Sequence, residues 1–324
     1  MNKIFISTYA ERIEQFIQMK KSLGFKYTKE IQILSLMDRL AYERGETSLG
    51  ITKEFADKWS EINPDHTENY RYTKMQKMAM FSAYLVDIGI PSYIPKLPPP
   101  RKDRYTLPYI YSKEEILALF EGSDKLFLNI MTYSSMIFSM PALIRLLYAT
   151  GLRIGEALAL KEEDINLDEK YLIVKDSKNG KERMIPFSES INEVLLKYLY
   201  HKRKLPVKKK TNHFFVKLDG YPVKDTGSLR KWFSICRQNA GINSGARIHD
   251  LRHTFACHAL ENMVRSGIDI YTSLPILSTY LGHQSLEATN RYVRLTSSIY
   301  PELLKNVDML CLNVFPKTKN YETY

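Results

Sequence analysis

The sequence predicts a mainly α-helical protein with one small antiparallel β-sheet, divided into two domains. Three observations carry this. Apolar residues recur at helical spacing throughout residues 1–90. Six prolines then fall between residues 91 and 108. Beyond them the helical pattern resumes, broken by two β-rich runs that flank Asn179-Gly180, a strong short hairpin signal.

In the first part, "TYAERIEQFIQMKKSLG" puts Ile13, Phe16, Ile17 and Leu23 on one helical face, with Gly24 as a stop. "KEIQILSLMDRLAYERG" repeats the pattern and stops at Gly45. Thr52 caps "TKEFADKWSEI", and "NYRYTKMQKMAMFSAYLVDIG" is a fourth helix ending near Gly89. Short connections between four helices suggest a small bundle. The basic, proline-rich segment that follows reads as an extended linker that could track along a phosphate backbone. The expected boundaries are 1–92 for the bundle, 93–111 for the linker and 112–324 for the second domain.

The second domain restarts with a capping box, Ser112 with Glu115. "MPALIRLLYATGLRIGEALAL" gives a helix from about Pro141, a break at Thr150-Gly151 and a short helix from about Arg153. After the hairpin come a helix in "NEVLLKYLYHKRK", a basic loop and strand in "KKKTNHFFVKL", and a helix in "TGSLRKWFSICRQNAG".

Composition narrows the function. A chain of 324 residues is comfortable for two domains, and a net charge of +11 predicts a polyanionic partner. No apolar run approaches the ~20 residues that span a bilayer, and "MNKIFISTYAERIEQF" turns polar too early for a signal peptide. Nucleic acid is therefore the expected partner, and the cytoplasm the expected compartment. Cys236, Cys257 and Cys311 form no framework, which fits reduced thiols.

Residues 247–260, "RIHDLRHTFACHAL", crowd two arginines and three histidines at a helix start. His249 and His253 are spaced as metal ligands on one helix face. Arg252 between them disfavours a cation, and no third ligand follows at the usual spacing. His258 fits a core histidine. Phosphate binding accounts for Arg252 with His249, because arginine offers a planar fork of donors and a helix start adds backbone donors. Arg153 stands at a second helix start, and the two arginines could hold one phosphate from two sides.

Four segments in order, "ATGLRIGEALAL", "SKNGKERMIPF", "HDLRHTFACH" and "LGHQSLEATNRYV", resemble the tyrosine recombinases of the phage-integrase family over roughly 112–300. The resemblance implies a SAM-like helical core-binding bundle followed by an integrase-type catalytic domain. It implies a site-specific DNA recombinase or integrase, serving a mobile element, that cleaves and rejoins strands through a 3′-phosphotyrosyl bond. By motif position the nucleophile is Tyr292, with Tyr271, Tyr280 and Tyr300 as nearby alternatives. Arg153 and Arg252 match the arginines that stabilise the transition state, and Lys178 matches the general acid for the departing 5′-oxygen. His249 matches the residue that assists tyrosine deprotonation, and His283 matches a hydrogen-bond donor to the phosphate. His253 supports the site. No metal or nucleotide cofactor is implied. The expected partner is double-stranded DNA, bound by a homotetramer.

One feature departs from the family pattern. Residues 262–275 make the interval before His283 longer than usual, by a longer helix or an added loop. The tail after Tyr292 carries Leu303, Leu304, Val307 and Leu310 at helical spacing, for packing on a neighbouring subunit or on itself. The alternative functions are a DNA-binding regulator without catalysis and a type IB topoisomerase-like enzyme.

Overall fold

The structure is a computed structural model. It describes residues 5–25, 27–61, 63–64, 66–97, 107–127, 135–175, 182–206, 211–223, 226–283, 289 and 292. The chain divides into two compact units, Met1–Thr106 and Leu107–Tyr324. The linker's middle, the Asn179-Gly180 turn, Lys178, Tyr300 and the tail lie outside the described residues.

The first unit contains α1 (Ala10–Ser22), α2 (Thr28–Arg44), α3 (Lys53–Ser60) and α4 (Glu68–Asp87). In α1 the buried side chains are Ile13, Phe16 and Ile17, spaced as one helix face. Leu23 departs from expectation: α1 has ended, and the residue is 63% exposed beside the left-handed Gly24. α3 and α4 start at threonines, Thr52 and Thr67, whose side chains accept from backbone N–H groups three residues on. Tyr9, Phe16, Phe55 and Phe81 form an aromatic centre with tilted and edge-to-face contacts. The start of the proline-rich segment packs on this unit. Tyr93 N–H donates to Ile51 O at 2.7 Å, and a Cβ on Gly50 would lie 1.9 Å from Pro91 O.

The second unit begins with α5 (Lys113–Asp124), and both bonds of the Ser112–Glu115 capping box are present. α6 (Met140–Thr150) is its central helix and buries residues nearly all round. Arg145, one of its partly exposed residues, reaches out to Asp124 at 2.7 Å. α7 (Ile154–Ala159) leads to a three-stranded antiparallel sheet in the order β1 (Ile165–Asn166), β2 (Tyr171–Val174), β3 (Arg183–Pro186). Val174 pairs with Arg183 and Tyr171 with Pro186, which fixes the hairpin register. α8 (Glu189–Arg203), α9 (Thr226–Asn239), α10 (Asp250–Arg265) and α11 (Ile270–Leu281) complete the unit.

The strand expected after the basic loop is replaced by isolated bridges, Lys161 to His213 and Val216 to Pro222. Phe214, Phe215 and Val216 are all buried, without the alternation of a strand. Backbone and side chains share this segment's hydrogen bonds, and Phe214 N–H donates to Leu160 O at 2.7 Å. Val216 N–H donates to the Tyr198 hydroxyl at 3.1 Å, and Ser139 Oγ donates to Val216 O at 2.6 Å. Residues 262–275 form the end of α10, a turn and the start of α11. α10 runs on to Arg265, Gly267 turns the chain, and Asp269 caps α11 by accepting from Tyr271 and Thr272 N–H.

Candidate active site

Three helix boundaries build the site. At the first, α6 ends in Gly151, which adopts a left-handed conformation and donates to Leu147 O. Glycine is required here twice over. The positive φ disfavours a side chain, and a Cβ would lie 2.3 Å from Phe255. The chain then extends through Arg153 into α7, and Arg153 N–H donates to Glu156 Oε2 at 3.0 Å.

At the second boundary, His249 precedes α10. Asp250 is buried and accepts from Arg247 N–H at 2.7 Å. Thr254 receives Tyr111 N–H at 3.1 Å, tying α10 to the entry of the unit. Arg252 is 3% exposed. Burying a guanidinium requires acceptors, and two carbonyls supply them. Nη1 donates to Gly151 O at 2.7 Å and Nη2 to Leu281 O at 2.8 Å. Arg252 thus joins the end of α6 to the end of α11.

The third boundary is Leu281-Gly282-His283. Gly282 turns left-handed after α11, and His283 N–H returns to Ser278 O at 3.0 Å. This bond fixes the backbone of His283, whose Nδ1 shares a hydrogen bond with Thr289 Oγ1 at 2.8 Å. Tyr292 is buried at 3% exposure in a small core with Ala256, Cys257, Leu260, Leu277 and Leu281. Its ring lies 6.0 Å from that of His283, nearly parallel, and 5.7 Å from that of His253. His253 in turn lies 5.1 Å from His249.

The structure therefore brings Arg153, His249, Arg252, His283 and Tyr292 together, with His253 among them. Lys178 lies outside the described residues. Of the alternative tyrosines, Tyr271 is 69% exposed, while Tyr280 stacks on Phe255 and donates its hydroxyl to Pro186 O at 3.2 Å. His258 sits apart, sharing a 3.0 Å hydrogen bond with the Tyr148 hydroxyl.

Burial and mutual repulsion govern the electrostatics. Burial, and next the charge of Arg153, bring Arg252 down to about 10, which leaves it cationic at neutral pH. Burial also holds all three site histidines below the ordinary imidazole value. His253 falls to about 4, with His249 as the next cause, and His283 to about 4, with Arg252 as the next cause. His249 is lowered by burial and then by Arg252. At neutral pH the site thus holds cationic arginines beside neutral imidazoles, which can accept or donate protons.

Two members of the site were not singled out from sequence, Glu156 and Arg183. Glu156 Oε1 accepts from Arg153 Nη1 at 2.8 Å. The same carboxylate accepts from Arg183 Nη2 at 2.7 Å and Nη1 at 3.2 Å. Burial opposes its charge, yet the two arginines hold its carboxyl down at about 2. The spacing of Arg153 and Glu156 was the available signal for the first pair. Arg183 stands in the segment "SKNGKERMIPF", but nothing local ties it to Glu156, 27 positions earlier.

The family model described as "Phage integrase family" matches residues 113–298. A Sinorhizobium fredii protein named "Putative integrase/recombinase y4rB" is 30% identical over 93% of this chain and 96% of its own length. Tyrosine recombinase XerC of Staphylococcus saprophyticus is 31% identical over 68% of this chain and 66% of its own. Among solved structures, a lambda integrase dimer bound to a COC′ core site is similar in fold. Its TM-score is 0.56 at 18% identity, covering 87% of this chain and 94% of that one. The Tn1549 transposon integrase with a circular intermediate DNA gives a TM-score of 0.58 at 16% identity, covering 88% and 93%.

Proposed function

The chain belongs to the phage integrase family, the tyrosine recombinases, and from that premise we propose how its residues cleave and rejoin DNA. The Tyr292 hydroxyl attacks the scissile phosphorus. The new bond is Oη–P, the bond broken is P–O5′, and the products are a 3′-phosphotyrosyl linkage and a free 5′-hydroxyl. A 5′-hydroxyl from another strand reverses the step, so the outcome is strand exchange.

Negative charge gathers on the non-bridging oxygens in the transition state, and Arg153 and Arg252 face it. Fixed donors aimed at developing charge are effective because they need no reorganisation during the reaction. The buried, doubly bonded Arg252 meets that requirement. The Tyr292 proton passes towards the imidazoles of His253 and His249, which are neutral at working pH. If His283 Nδ1 accepts from Thr289, its Nε2–H is the donor that meets a phosphate oxygen. Lys178, by its place in the hairpin motif, protonates the 5′-oxygen.

One observation supports this reading best. Arg252 ties the chain beside Arg153 to the chain beside His283 through two short hydrogen bonds, and Tyr292 packs against His283. The partner is double-stranded DNA, with the first unit as a core-binding domain, and the working form is a homotetramer on a mobile element's ends.

A suicide substrate built from inverted repeats flanking the coding region tests this. The wild-type chain is expected to form a covalent protein–DNA adduct. Tyr292→Phe should bind the same DNA and form none, while Tyr271→Phe and Tyr280→Phe should still form it. A wild-type protein that binds but leaves no adduct would instead be a regulator.

A further inference from the structure

Arg183 and its partner Glu156 are charged side chains at the site that the mechanism above does not use. Arg183 sits on β3 with its side chain only 11% exposed. Its guanidinium serves three acceptors on two other elements. Nε donates to Tyr280 O at 3.2 Å, Nη1 to Glu156 Oε1 at 3.2 Å and Nη2 to Glu156 Oε2 at 2.7 Å. It also fills the space over Gly282, where a Cβ would lie 3.1 Å from Nη1 and 3.2 Å from Cζ.

Each contact is one step removed from a group that faces phosphate. Glu156 holds both the backbone N–H and the guanidinium of Arg153. Tyr280 precedes Leu281, whose carbonyl accepts from Arg252. Gly282 precedes His283. We propose, resting on the recombinase reading, that Arg183 is a positioning residue. It clamps α7 to the end of α11 and so holds Arg153, Arg252 and His283 in one phosphate-binding geometry.

Only a planar fork reaches all three acceptors, and a lysine ammonium cannot replace it. Arg183 is also the carboxylate's main counter-charge. Among the causes that keep Glu156 charged, the hydrogen bond from Arg183 is the largest. Without Arg183, Arg153 is left as the counter-charge of a buried carboxylate, which draws it towards Glu156 and away from DNA.

The test compares two substrates, one with a phosphodiester and one with a neutral methylphosphonate at the scissile position. Single-turnover adduct formation is measured at saturating DNA. A methylphosphonate demands less positive charge, so misplaced arginines cost less there. Arg183→Ala is expected to slow phosphodiester cleavage about 100-fold, the scale of a small misalignment, with Kd within about 3-fold. On methylphosphonate the loss should stay below about 5-fold, because less charge must be met. Arg183→Lys keeps a counter-charge for Glu156 and guards against loss of folding; it should slow phosphodiester cleavage about 10-fold. Glu156→Gln combined with Arg183→Ala should be no slower than Arg183→Ala, since both act along one chain of contacts.

Equal losses on the two substrates would leave Arg183 a purely structural residue and overturn the proposal. Multiplying losses in the double variant would make Arg183 a direct phosphate ligand and overturn it too. A wild-type protein that forms no adduct on either substrate would instead remove the recombinase reading, and this inference with it.

Discussion

Arg252 and Arg153 look alike in the sequence, each near a helix start, yet the structure separates them. Arg252 is buried and completes two backbone carbonyls, Gly151 O and Leu281 O. Arg153 is partly exposed, and its partner Glu156 keeps a second arginine. Losing a buried donor leaves its acceptors unsatisfied, at a cost of about 1–3 kcal/mol. Arg252→Ala should therefore lose about 2 kcal/mol or more of stability as well as cleavage. Arg153→Ala should abolish cleavage while staying within about 1 kcal/mol of wild type, as expected of a partly exposed ion pair. Urea denaturation beside adduct formation checks both. Equal stability losses would mean that the two arginines share one structural role. The arginine pair was legible because its residue types suit phosphate. Glu156 was not, because a carboxylate in a first helical turn ordinarily just complements the helix dipole. Its second partner comes from a strand that docks only in the folded state.

The helices themselves were largely legible, because their ends carry local chemistry. The Ser112–Glu115 box, the Thr52 cap and the stops near Gly24, Gly45 and Gly89 act within a few residues of chain. The strand near Phe214 was misread because an apolar aromatic run does not reveal that Tyr198 and Ser139 will take its hydrogen bonds. Gly151 and Gly282 could be quoted from sequence, but their reasons lie in packing. Both are left-handed, so alanine at either carries a conformational cost of roughly 1 kcal/mol. Their neighbours differ. At Gly282 a Cβ meets the Arg183 guanidinium at 3.1 Å, whereas at Gly151 it meets the Phe255 ring at 2.3 Å and Leu281 at 2.9 Å. Gly151→Ala is thus expected to cost about 3 kcal/mol or more, on the scale of overpacking, and Gly282→Ala about 1–2 kcal/mol. Gly282→Ala should nonetheless slow cleavage, because it displaces Arg183 and His283. Chemical denaturation together with single-turnover rates measures the two effects. A Gly282→Ala protein that cleaves at the wild-type rate would count against any role for that turn in the site.

At the scale of the whole molecule, charge and protonation set how the protein responds to solution. With a net charge of +11 on 324 residues, DNA affinity should fall steeply with salt, through release of condensed counterions. The site histidines add a dependence on pH. His253 and His283 sit at about 4 in the folded protein, against an ordinary value of 6.5. Between those values the unfolded chain binds more protons than the folded one, so stability rises with pH across the window. The contribution is complete above about pH 6.5 and is lost as pH falls towards 4, on the order of 1–3 kcal/mol per histidine. The Tm of the free protein should therefore drop between pH 7 and pH 5. Replacing His253 and His283 together with glutamine, which does not titrate, should flatten that slope. DNA should act in the same direction. A phosphate at the site favours the protonated imidazole, so binding takes up protons and the bound complex loses less stability on acidification. Melting curves at a series of pH values, with and without DNA, decide the matter. A slope unchanged by the double substitution would place the acid sensitivity elsewhere in the chain. A slope unchanged by DNA would mean that no phosphate approaches these two rings.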